Sequence, residues 1–295
     1  MAKIKLKKGD KIMIVSPSGV IKPEYVSGAV KFLHDSGFEP VVGDSALASC
    51  GRFAGTPDER IADMQRAIDD ASVKAVLCSR GGYGAVQIVD KLDFSSLKTN
   101  PKYLIGFSDI TVFHSALTNM KIPSVHASMA KYMTEYPQEE PQQKLLGILG
   151  GKVMKYEVPP HPLNRQGVAK GVLTGGNLSA LYGLRGTPYD IRPKGKILFI
   201  EDLSEAPYHV DRMMNNLRLG GILKQISGLV VGQFTDMTPD DRMKNVYEII
   251  ADAVADYDYP VCFDFPAGHV PQNYPLLMGV RCKLAVTEKS VVLKN

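Results

Sequence analysis

The sequence predicts an α/β protein: a parallel sheet with helices on both faces, followed by a second, smaller α/β domain. Three observations predict it. Short apolar runs alternate with helix-length amphipathic segments in the first half of the chain, a Pro-rich stretch interrupts this pattern near the middle, and a second set of strands and helices follows. Strands that alternate with helices pair in parallel, because each helix returns the chain to the starting edge of the sheet.

The first half contains five predicted strands joined by four predicted helices. The strands fall over 11–16, 40–43, 73–78, 103–106 and 124–126. The helices fall over 23–36, from 57 onward, over 85–92 and over 110–120. The second helix has the clearest start, because Thr56, Pro57 and Glu59 match a capping box with proline at the first helical position.

A linker is predicted over 156–167, where the sequence YEVPPHPLNRQG is Pro-rich and unpatterned, and it separates domains 1–155 and 168–295. The second domain alternates again between helices and strands. Its predicted elements are a helix over 177–184, a strand over 196–200, a helix over 210–219, a strand over 228–232, a helix over 241–257, a strand over 260–263, and a hairpin formed by 281–286 and 291–293.

The composition is that of a soluble globular protein. Of 295 residues, 44% are hydrophobic and 22% are charged, which excludes collagen, coiled coils and bulk disorder. The net charge of +4 is small. Its densest cluster, Lys3, Lys5, Lys7, Lys8 and Lys11, is typical of a solvated end, and no nucleic-acid-binding motif accompanies it. No apolar run approaches the ~18 residues that span a membrane, so we expect neither nucleic acid nor membrane as a partner.

The cysteine pattern and the N-terminal segment favour a cytoplasmic location. The four cysteines are scattered along the chain without a CxxC pair, which is typical of a reducing compartment. The N-terminus lacks the apolar segment of a signal peptide. Because the sequence contains no HExxH, no clustered His and Cys, no Asp-rich loop and no Walker A motif, we expect neither a metal nor a cofactor.

Ser108 is the first candidate for catalysis. A predicted strand ends at Gly106 and a helix begins directly after Ser108, so the turn exposes the hydroxyl beside the first amides of the helix. The sequence GFSDI lacks the glycine that usually stands two residues after the serine of a nucleophile elbow. The alternative is that Ser108 only caps the helix, and the spacing alone favours the cap.

A nucleophilic serine needs a base and a group that orients the base. Of the six histidines, His269 stands apart because it lies in a Gly- and Pro-rich loop over 266–275, where side chains are held for function more than for packing. Glu201 ends the most apolar strand of the second domain, where a carboxylate costs free energy unless it is paired. Asp202 and Glu205 compete with Glu201 for the orienting role.

The loop over 79–84 is a candidate anion site. Three glycines in four positions between a strand and a helix let the backbone approach a ligand closely and direct its amides at an anion, which includes a developing oxyanion. The amides of Gly81 and Gly82 are the candidates. Arg80 can pair with a carboxylate through two hydrogen bonds, the alternative being a structural ion pair.

Five blocks of the sequence are distinctive in the order in which they occur. They are SRGGYGA over 79–85, GFSDIT over 106–111, TGGNLSAL over 174–181, FIED over 199–202 and AGHVPQN over 267–273. Together with AGTPDER over 54–60, they extend through nearly the whole chain. In this order they resemble the LD-carboxypeptidases, the muramoyltetrapeptide carboxypeptidases that share a family with the microcin C self-immunity proteins.

The resemblance implies a flavodoxin-like N-terminal domain, a smaller α/β C-terminal domain and a homodimer. It also implies a Ser-His-Glu triad, which falls on Ser108, His269 and Glu201. The site would then lie in the cleft between the domains. With these roles, the backbone N–H groups of Asp109 and of the glycine loop are expected to receive the oxyanion.

The function implied by the resemblance is a serine carboxypeptidase that releases the terminal D-alanine from murein tetrapeptide, or a related L,D-peptide, during cell-wall recycling. One alternative is the immunity branch of the family, which hydrolyses the amide of an aminoacyl-nucleotide antibiotic. The absence of tryptophan leans against that branch, since an aromatic platform would help to hold the base. A further alternative is a non-catalytic module that binds a nucleotide or a sugar on its glycine loops.

Overall fold

A computed structural model describes residues 4–295, and Lys3 of the N-terminal lysine cluster lies outside them. The elements of the first half are β1 (Lys11–Val15), α1 (Pro23–Asp35), β2 (Glu39–Val42), α2 (Pro57–Asp69), β3 (Val73–Cys78), β4 (Tyr103–Gly106), α3 (Thr111–Asn119), β5 (Ser124–His126), α4 (Ala130–Glu135) and α5 (Glu140–Leu149). The five predicted strands are confirmed within one or two residues at each end.

The elements of the second half begin in the segment predicted as a linker. They are β6 (Lys155–Val158), β7 (Gly167–Asn177), α6 (Leu178–Gly183), β8 (Ile197–Leu203), α7 (Pro207–Leu219), α8 (Ile222–Gln225), β9 (Gly228–Thr235), α9 (Val246–Ala253), β10 (Val261–Cys262), β11 (Leu276–Met278), β12 (Arg281–Val286) and β13 (Val291–Lys294). The predicted C-terminal hairpin is confirmed as β12 and β13, which pair antiparallel.

The first sheet has the strand order β2-β1-β3-β4-β5-β11. Strands β1 to β5 are mutually parallel, and β11 adds an antiparallel edge to β5. This is the flavodoxin-like order, and it confirms the predicted fold of the N-terminal half. In this topology the loops that follow β1, β3 and β4 meet at the carboxyl edge of the sheet, where ligands of such sheets bind.

Both faces of the first sheet are buried, as expected for parallel strands with helices on each side. Met13 and Val15 of β1 belong to the core on one face. Ile12 and Ile14 of the same strand belong to the core on the other. The near-continuous apolar sequence of β1 therefore follows from its position between two helical layers.

The second sheet has the strand order β10-β9-β8-β7-β12-β13-β6. Strands β7 to β10 are parallel, whereas β12, β13 and β6 continue the sheet antiparallel. The predicted α/β class of the second half is confirmed. Strand β8, which ends in the acidic segment, lies between β7 and β9 and has both of its neighbours in the parallel part of this sheet.

The helix predicted over 85–92 is wrong. The structure has two 3₁₀ turns there, Ala85–Gln87 and Val89–Lys91. The segment AVQIVD is rich in β-branched residues, which lower helix propensity. In addition, the carboxylate of Asp109 accepts the backbone N–H of Ala85 at 2.8 Å, which fixes the start of the segment to another loop.

The helix predicted over 241–257 is much shorter in the structure. Helix α9 begins after Asn245, whose side chain accepts the N–H of Glu248 at 3.0 Å. In return, the carboxylate of Glu248 accepts the N–H of Asn245. This capping box fixes the first helical residue at Val246, five residues after Asp241. The periodic pattern predicted a helix in this region but did not show where it begins.

One strand of the second half belongs to the first sheet. Strand β6 occupies the start of the predicted linker 156–167 and pairs with β13 of the second sheet, whereas β11 pairs with β5 of the first. A segment of the second half thus completes the first sheet. The division into 1–155 and 168–295 stays a proposal, and β11 is the strand that crosses it.

A close contact joins the two halves beside the carboxyl edge of the first sheet. The N–H of Asn177 donates to Thr111 Oγ1 at 2.9 Å. Gly176 has a φ of +139°, and a Cβ there would lie 2.3 Å from Thr111 Oγ1, so the position requires glycine. The contact holds β7 against α3 and thereby fixes the cleft between the halves.

No helix within residues 4–295 has the length and apolarity needed to cross a membrane.

Candidate active site

Ser108 occupies a strained turn between β4 and α3. Phe107 is extended, with φ −152°, and Ser108 has φ +64°, a region that residues other than glycine rarely occupy. A 3₁₀ turn over Ser108–Ile110 then leads into α3, and neither helix start is capped by the Ser108 side chain. The cap interpretation is therefore not supported. A strained serine between a strand and a helix has the geometry of a nucleophile elbow.

The glycine loop packs directly on this turn. A Cβ at Gly81 would lie 2.8 Å from Ser108 Cβ and 3.2 Å from the backbone N of Asp109, so no side chain fits there. Gly82 has φ +101° and exposes its backbone. The N–H of Gly19, after β1, donates to the carbonyl of Gly81 at 3.0 Å and holds the loop in place.

The side chain of Asp109 joins three loops at the carboxyl edge of the sheet. Its Oδ2 accepts the hydroxyl of Ser18 at 2.6 Å, from the loop after β1, and the N–H of Ala85 at 2.8 Å, from the loop after β3. The carboxylate is buried and satisfied by these donors. Asp109 therefore fixes the backbone that follows Ser108, which suits the predicted use of its amide.

His269 and Glu201 form a buried hydrogen-bonded pair. His269 Nδ1 lies 2.7 Å from Glu201 Oε2. The Glu201 side chain is 0% exposed and that of His269 is 14% exposed. Because an ionised carboxylate only accepts hydrogen bonds, Nδ1 carries the proton and Nε2 is left as the basic nitrogen. This is the tautomer that a general base for a serine requires.

Two glycines let the His269 loop cross over Glu201. A Cβ at Gly232 of β9 would lie 2.4 Å from the carbonyl of Ala267, and one at Gly268 would lie 3.1 Å from Glu201 Oε2. Gly268 also has φ +137°. The pairing of β8 with β9 shifts register at Glu201, a local irregularity of the kind that redirects a side chain.

Only Glu201, of the three acidic candidates, contacts His269. Asp202 accepts hydrogen bonds from Asn177 and from Ser179, and Glu205 pairs with His209 at 2.9 Å. Burial, together with the neighbouring Glu201 charge, raises the pKa of Asp202 to about 6 against these hydrogen bonds. The structure thus separates the paired carboxylate from its two competitors.

Ser108 and His269 line one cavity of about 570 Å³ between the two halves. No hydrogen bond joins the Ser108 hydroxyl to His269 among the contacts of residues 4–295. The ring of Phe107, next to Ser108, lies 4.7 Å from the His269 ring, centroid to centroid. The other predicted residues on the cavity wall are Arg80, Gly81 and Gly82, and the wall is completed by Ile21, Lys22, Tyr25, Ser79, Met129, Lys131, Tyr132, Leu203 and Asp236.

Arg80 lies at the cavity with its charge uncompensated. Its guanidinium donates to the carbonyl of Val20. Within residues 4–295 it forms no salt bridge, so the structural ion pair considered from the sequence is absent there. An exposed guanidinium fixed beside a serine is suited to bind a carboxylate of a ligand.

Sequence reasoning missed the polar residues buried behind the site. His114 accepts the hydroxyl of Ser124 on Nδ1 and donates from Nε2 to the carbonyl of Gly106, each at 2.8 Å. Burial lowers the pKa of His114 to about 4, which keeps it neutral. His126 and Asn273 are completely buried nearby. The sequence marks His126 as a plausible pocket or core residue and places Asn273 in the block AGHVPQN, but it does not show what surrounds them, because their surroundings arise from the contact between the halves.

The chain offers no evident metal centre in its described part. Among residues 4–295, no three His, Cys, Asp or Glu side chains are grouped as metal ligands would be.

Two family profiles match the chain: the LD-carboxypeptidase N-terminal domain over residues 12–127 and the LD-carboxypeptidase C-terminal domain over residues 170–284. A probable murein peptide carboxypeptidase of Bacillus subtilis is 33% identical over 296 residues, which cover 98% of this chain and 93% of the relative.

Two solved structures superpose on nearly the whole chain. Muramoyltetrapeptide carboxypeptidase from Oxalobacter formigenes has a TM-score of 0.89 at 28% identity and covers 96% of this chain and 98% of its own. The microcin C7 self-immunity protein MccF in complex with aspartyl sulfamoyl adenosine has a TM-score of 0.87, covering 100% and 98%, and at 20% identity it shares the fold. The chain belongs to the LD-carboxypeptidase family of peptidases.

Proposed function

We propose that this protein is a serine-type LD-carboxypeptidase that releases the terminal D-alanine from murein tetrapeptide, or a related L,D-peptide, in cell-wall recycling. The names of the Bacillus subtilis relative and of the Oxalobacter formigenes structure support this substrate class. The observation that carries the mechanism is the 2.7 Å pair of His269 Nδ1 and Glu201 Oε2, which leaves a basic nitrogen on the cavity that also holds Ser108.

In the first step, His269 Nε2 takes the proton of the Ser108 hydroxyl while Oγ attacks the carbonyl carbon of the diamino acid. The carbonyl π electrons move to the oxygen, and a tetrahedral intermediate forms. Glu201 keeps the imidazole in the required tautomer and stabilises the imidazolium. Ser108 and His269 line the same cavity without a hydrogen bond between them among residues 4–295, and catalytic contacts of this kind often tighten only when substrate is bound.

The oxyanion is received by backbone amides next to Ser108. Asp109 N lies beside the glycine loop, whose Gly81 leaves room for no side chain, and Gly82 adds a further amide. Each donor to a developing oxyanion contributes roughly 3–4 kcal/mol in comparable sites. The buried, satisfied Asp109 carboxylate keeps these amides in place without reorganisation during the reaction.

The intermediate collapses when the imidazolium gives its proton to the amine of D-alanine, and the C–N bond breaks. Water then attacks the acyl-enzyme with His269 as base, and Ser108 regains its proton. An exopeptidase also binds the terminal carboxylate of its substrate. We assign that role to Arg80, a cation on the cavity wall that forms no salt bridge among residues 4–295.

The immunity-type reaction, hydrolysis of an aminoacyl-nucleotide amide, is the second candidate. The same triad would serve it, and Tyr25 and Tyr132 on the cavity wall offer aromatic surfaces for a base. The similarity to MccF is one of fold and gives this reaction no additional support. The Bacillus subtilis relative, by contrast, is named as a probable murein peptide carboxypeptidase. The homodimer implied by the resemblance and the cytoplasmic location expected from the sequence stay part of the proposal.

The test incubates the protein with a murein tetrapeptide and, separately, with aspartyl sulfamoyl adenosine. Release of D-alanine from the first supports the proposal, and cleavage of only the second supports the immunity reaction. Ser108→Ala is expected to lower turnover by several orders of magnitude with its Tm within a few degrees of the wild type, while Ser49→Ala, an exposed serine outside the cavity, stays fully active. If Ser108→Ala keeps both ligand binding and turnover, Ser108 is not the nucleophile, and if neither compound is cleaved the binding-module alternative applies.

A further inference from the structure

The loop that carries His269 is held by a buried asparagine. Asn273 is 0% exposed, and its Oδ1 accepts the N–H of Gly268 at 2.9 Å. Because a backbone N–H only donates, this bond determines which end of the amide is the oxygen. The Nδ2 end therefore lies on the other side of the amide, where it has no partner among residues 4–295.

A complementary acceptor lies next to this loop. Glu201 Oε2 accepts from His269, but Glu201 Oε1 is buried and has no donor among residues 4–295. Gly268 connects the two groups: its N–H binds Asn273, and a Cβ at Gly268 would lie 3.1 Å from Glu201 Oε2. Buried carboxylate oxygens are normally hydrogen-bonded. Asn273 Nδ2 and Glu201 Oε1 are a donor and an acceptor without partners in the described chain, and both belong to side chains that adjoin Gly268.

His126 supplies a second unpaired donor in the same region. It is 0% exposed, and neither ring nitrogen has a partner within the described chain. Its ring lies 5.0 Å from that of Phe199. Phe199 and Glu201 lie on the same side of β8, because a Cβ at Gly232 would be 2.8 Å from Phe199 Cε2 and 3.2 Å from Glu201 Cβ. The His126 ring also lies 5.6 Å from Phe107, which contacts His269. Burial keeps the pKa of His126 well below its usual value, so it is neutral and has one N–H to donate.

We propose that Asn273 is a positioning residue for the reaction. Its Oδ1 fixes the backbone before His269, and its Nδ2, together with the N–H of His126, satisfies Glu201 Oε1 through one enclosed water. With Oε1 held by these donors, Oε2 stays directed at His269. This inference rests on the proposed function, because it assumes that the Glu201–His269 pair activates Ser108.

The consequence is a distinction between the two ends of one amide. If Asn273 only anchors the loop, its oxygen matters and its nitrogen does not. If it also positions Glu201, the nitrogen matters as well. Asn273→Asp separates the two roles, because aspartate keeps an oxygen for Gly268 N–H but donates to Glu201 only while it is protonated. The other titratable groups near the Glu201–His269 pair are His114, His126, Tyr132 and Asp202. The Asn273→Asp substitution changes none of these side chains.

The experiment measures the rate at which an organophosphorus fluoride, a serine-directed probe, labels Ser108 between pH 6 and pH 9. For Asn273→Asp we expect labelling at pH 9 to be at least tenfold slower than in the wild type. Toward pH 6 we expect the ratio of the variant rate to the wild-type rate to rise part of the way back to one. Asn164→Asp is the matched control, because Asn164 also accepts a backbone N–H, from Phe263 at 2.8 Å, and also has an unpartnered Nδ2 in the described chain. We expect it to label at the wild-type rate throughout.

A second variant keeps the inference testable if Asn273→Asp does not fold. His126→Phe removes both ring nitrogens from an aromatic environment and leaves the Gly268 anchor intact, and we expect it to slow labelling at least threefold at every pH. Wild-type rates and an unchanged pH profile in the folded variants overturn the proposal. If the wild type itself does not label at Ser108, the proposed function fails and this inference fails with it, whereas a labelled wild type with equally reactive variants refutes the positioning role alone.

Discussion

The two walls of the cleft place their functional groups by different means. On the N-terminal wall, Ser108 is positioned by backbone geometry: a positive φ, a glycine packed on its Cβ, and a carboxylate satisfied by two donors. On the C-terminal wall, His269 is positioned by side-chain hydrogen bonds, and the carboxylate that holds it keeps one oxygen unpaired within the described chain. The first wall is therefore sensitive to the size of side chains, and the second to their hydrogen-bonding chemistry.

The largest effect is expected from a substitution that changes only hydrogen bonding on the C-terminal wall. Glu201→Gln keeps the shape of the side chain but removes its charge and favours the wrong tautomer of His269. We expect kcat to fall about 10⁴-fold, as when the acid of a comparable triad is changed to its amide. The measurement is steady-state hydrolysis of the murein tetrapeptide, with Tm as a check on folding.

The matched control for this prediction is Glu205→Gln, because Glu205 pairs with His209 and does not contact His269. Its kcat is expected to stay within a fewfold of the wild type. Equal losses in the two variants would show that the C-terminal wall does not depend on the Glu201 contact, and the contrast between the walls would be lost.

A smaller but still large effect is expected from a change of size alone on the N-terminal wall. Gly81→Ala adds a methyl group 2.8 Å from Ser108 Cβ, so the turn must shift. We expect kcat to fall about 10²-fold, since displacements of this kind misplace a reacting group, and stability to fall by about 1–3 kcal/mol from overpacking. Kinetics with the tetrapeptide and urea denaturation measure the two effects.

Gly183→Ala is the control for this substitution. A Cβ at Gly183 would meet no atom within 4 Å, and it lies in a helix, where alanine is the better helix former. Activity equal to the wild type and unchanged or slightly raised stability are expected for it. A Gly81→Ala enzyme with wild-type kcat would contradict the account of the N-terminal wall.

The smallest effect concerns stability against pH and involves the histidine behind β4. Burial lowers the pKa of His114 to about 4, below the value of about 6.5 in an unfolded chain. Between these values the unfolded state binds a proton that the folded state refuses, so stability is full above pH 6.5 and is lost as the pH falls. The loss amounts to about 2 kcal/mol by pH 5. His126 is shifted in the same direction by burial and adds to the loss.

Urea denaturation at pH 7 and pH 5 measures this loss. The exposed His34 provides the control, since His34→Gln is expected to show the same loss as the wild type. His114→Gln is expected to be less stable at pH 7 and to lose less on acidification. A wild-type stability that does not change between pH 7 and pH 5 would contradict the buried neutral state of His114.

The sequence predicted the fold more completely than it predicted the candidate site. The parallel sheet followed from apolar runs between helical segments. Ser108, Glu201 and His269 were candidates because each stands at the end of a strand or in a Gly-rich loop, but only the family resemblance selected them from their competitors. The helix over 85–92 was wrong, because periodicity does not register a carboxylate 24 residues away, Asp109, that takes the N–H of Ala85.

The contacts of Asn273 and His126 could not be predicted from the sequence, because they depend on segments that are far apart along the chain. Strand β11, just after Asn273, pairs with β5 at His126, and this pairing across about half of the chain brings both residues behind the cleft. Local pattern describes a strand or a turn, but it does not say which distant strand completes a sheet.

The most direct test of the central claim is the mass of the protein after treatment with the organophosphorus fluoride, in the wild type and in His269→Ala. The account predicts one adduct, on Ser108, in the wild type and labelling at least a hundredfold slower when the imidazole is removed. An adduct on another serine, or a Ser108 that reacts equally fast without His269, would contradict the claim that residues from the two walls form one catalytic unit.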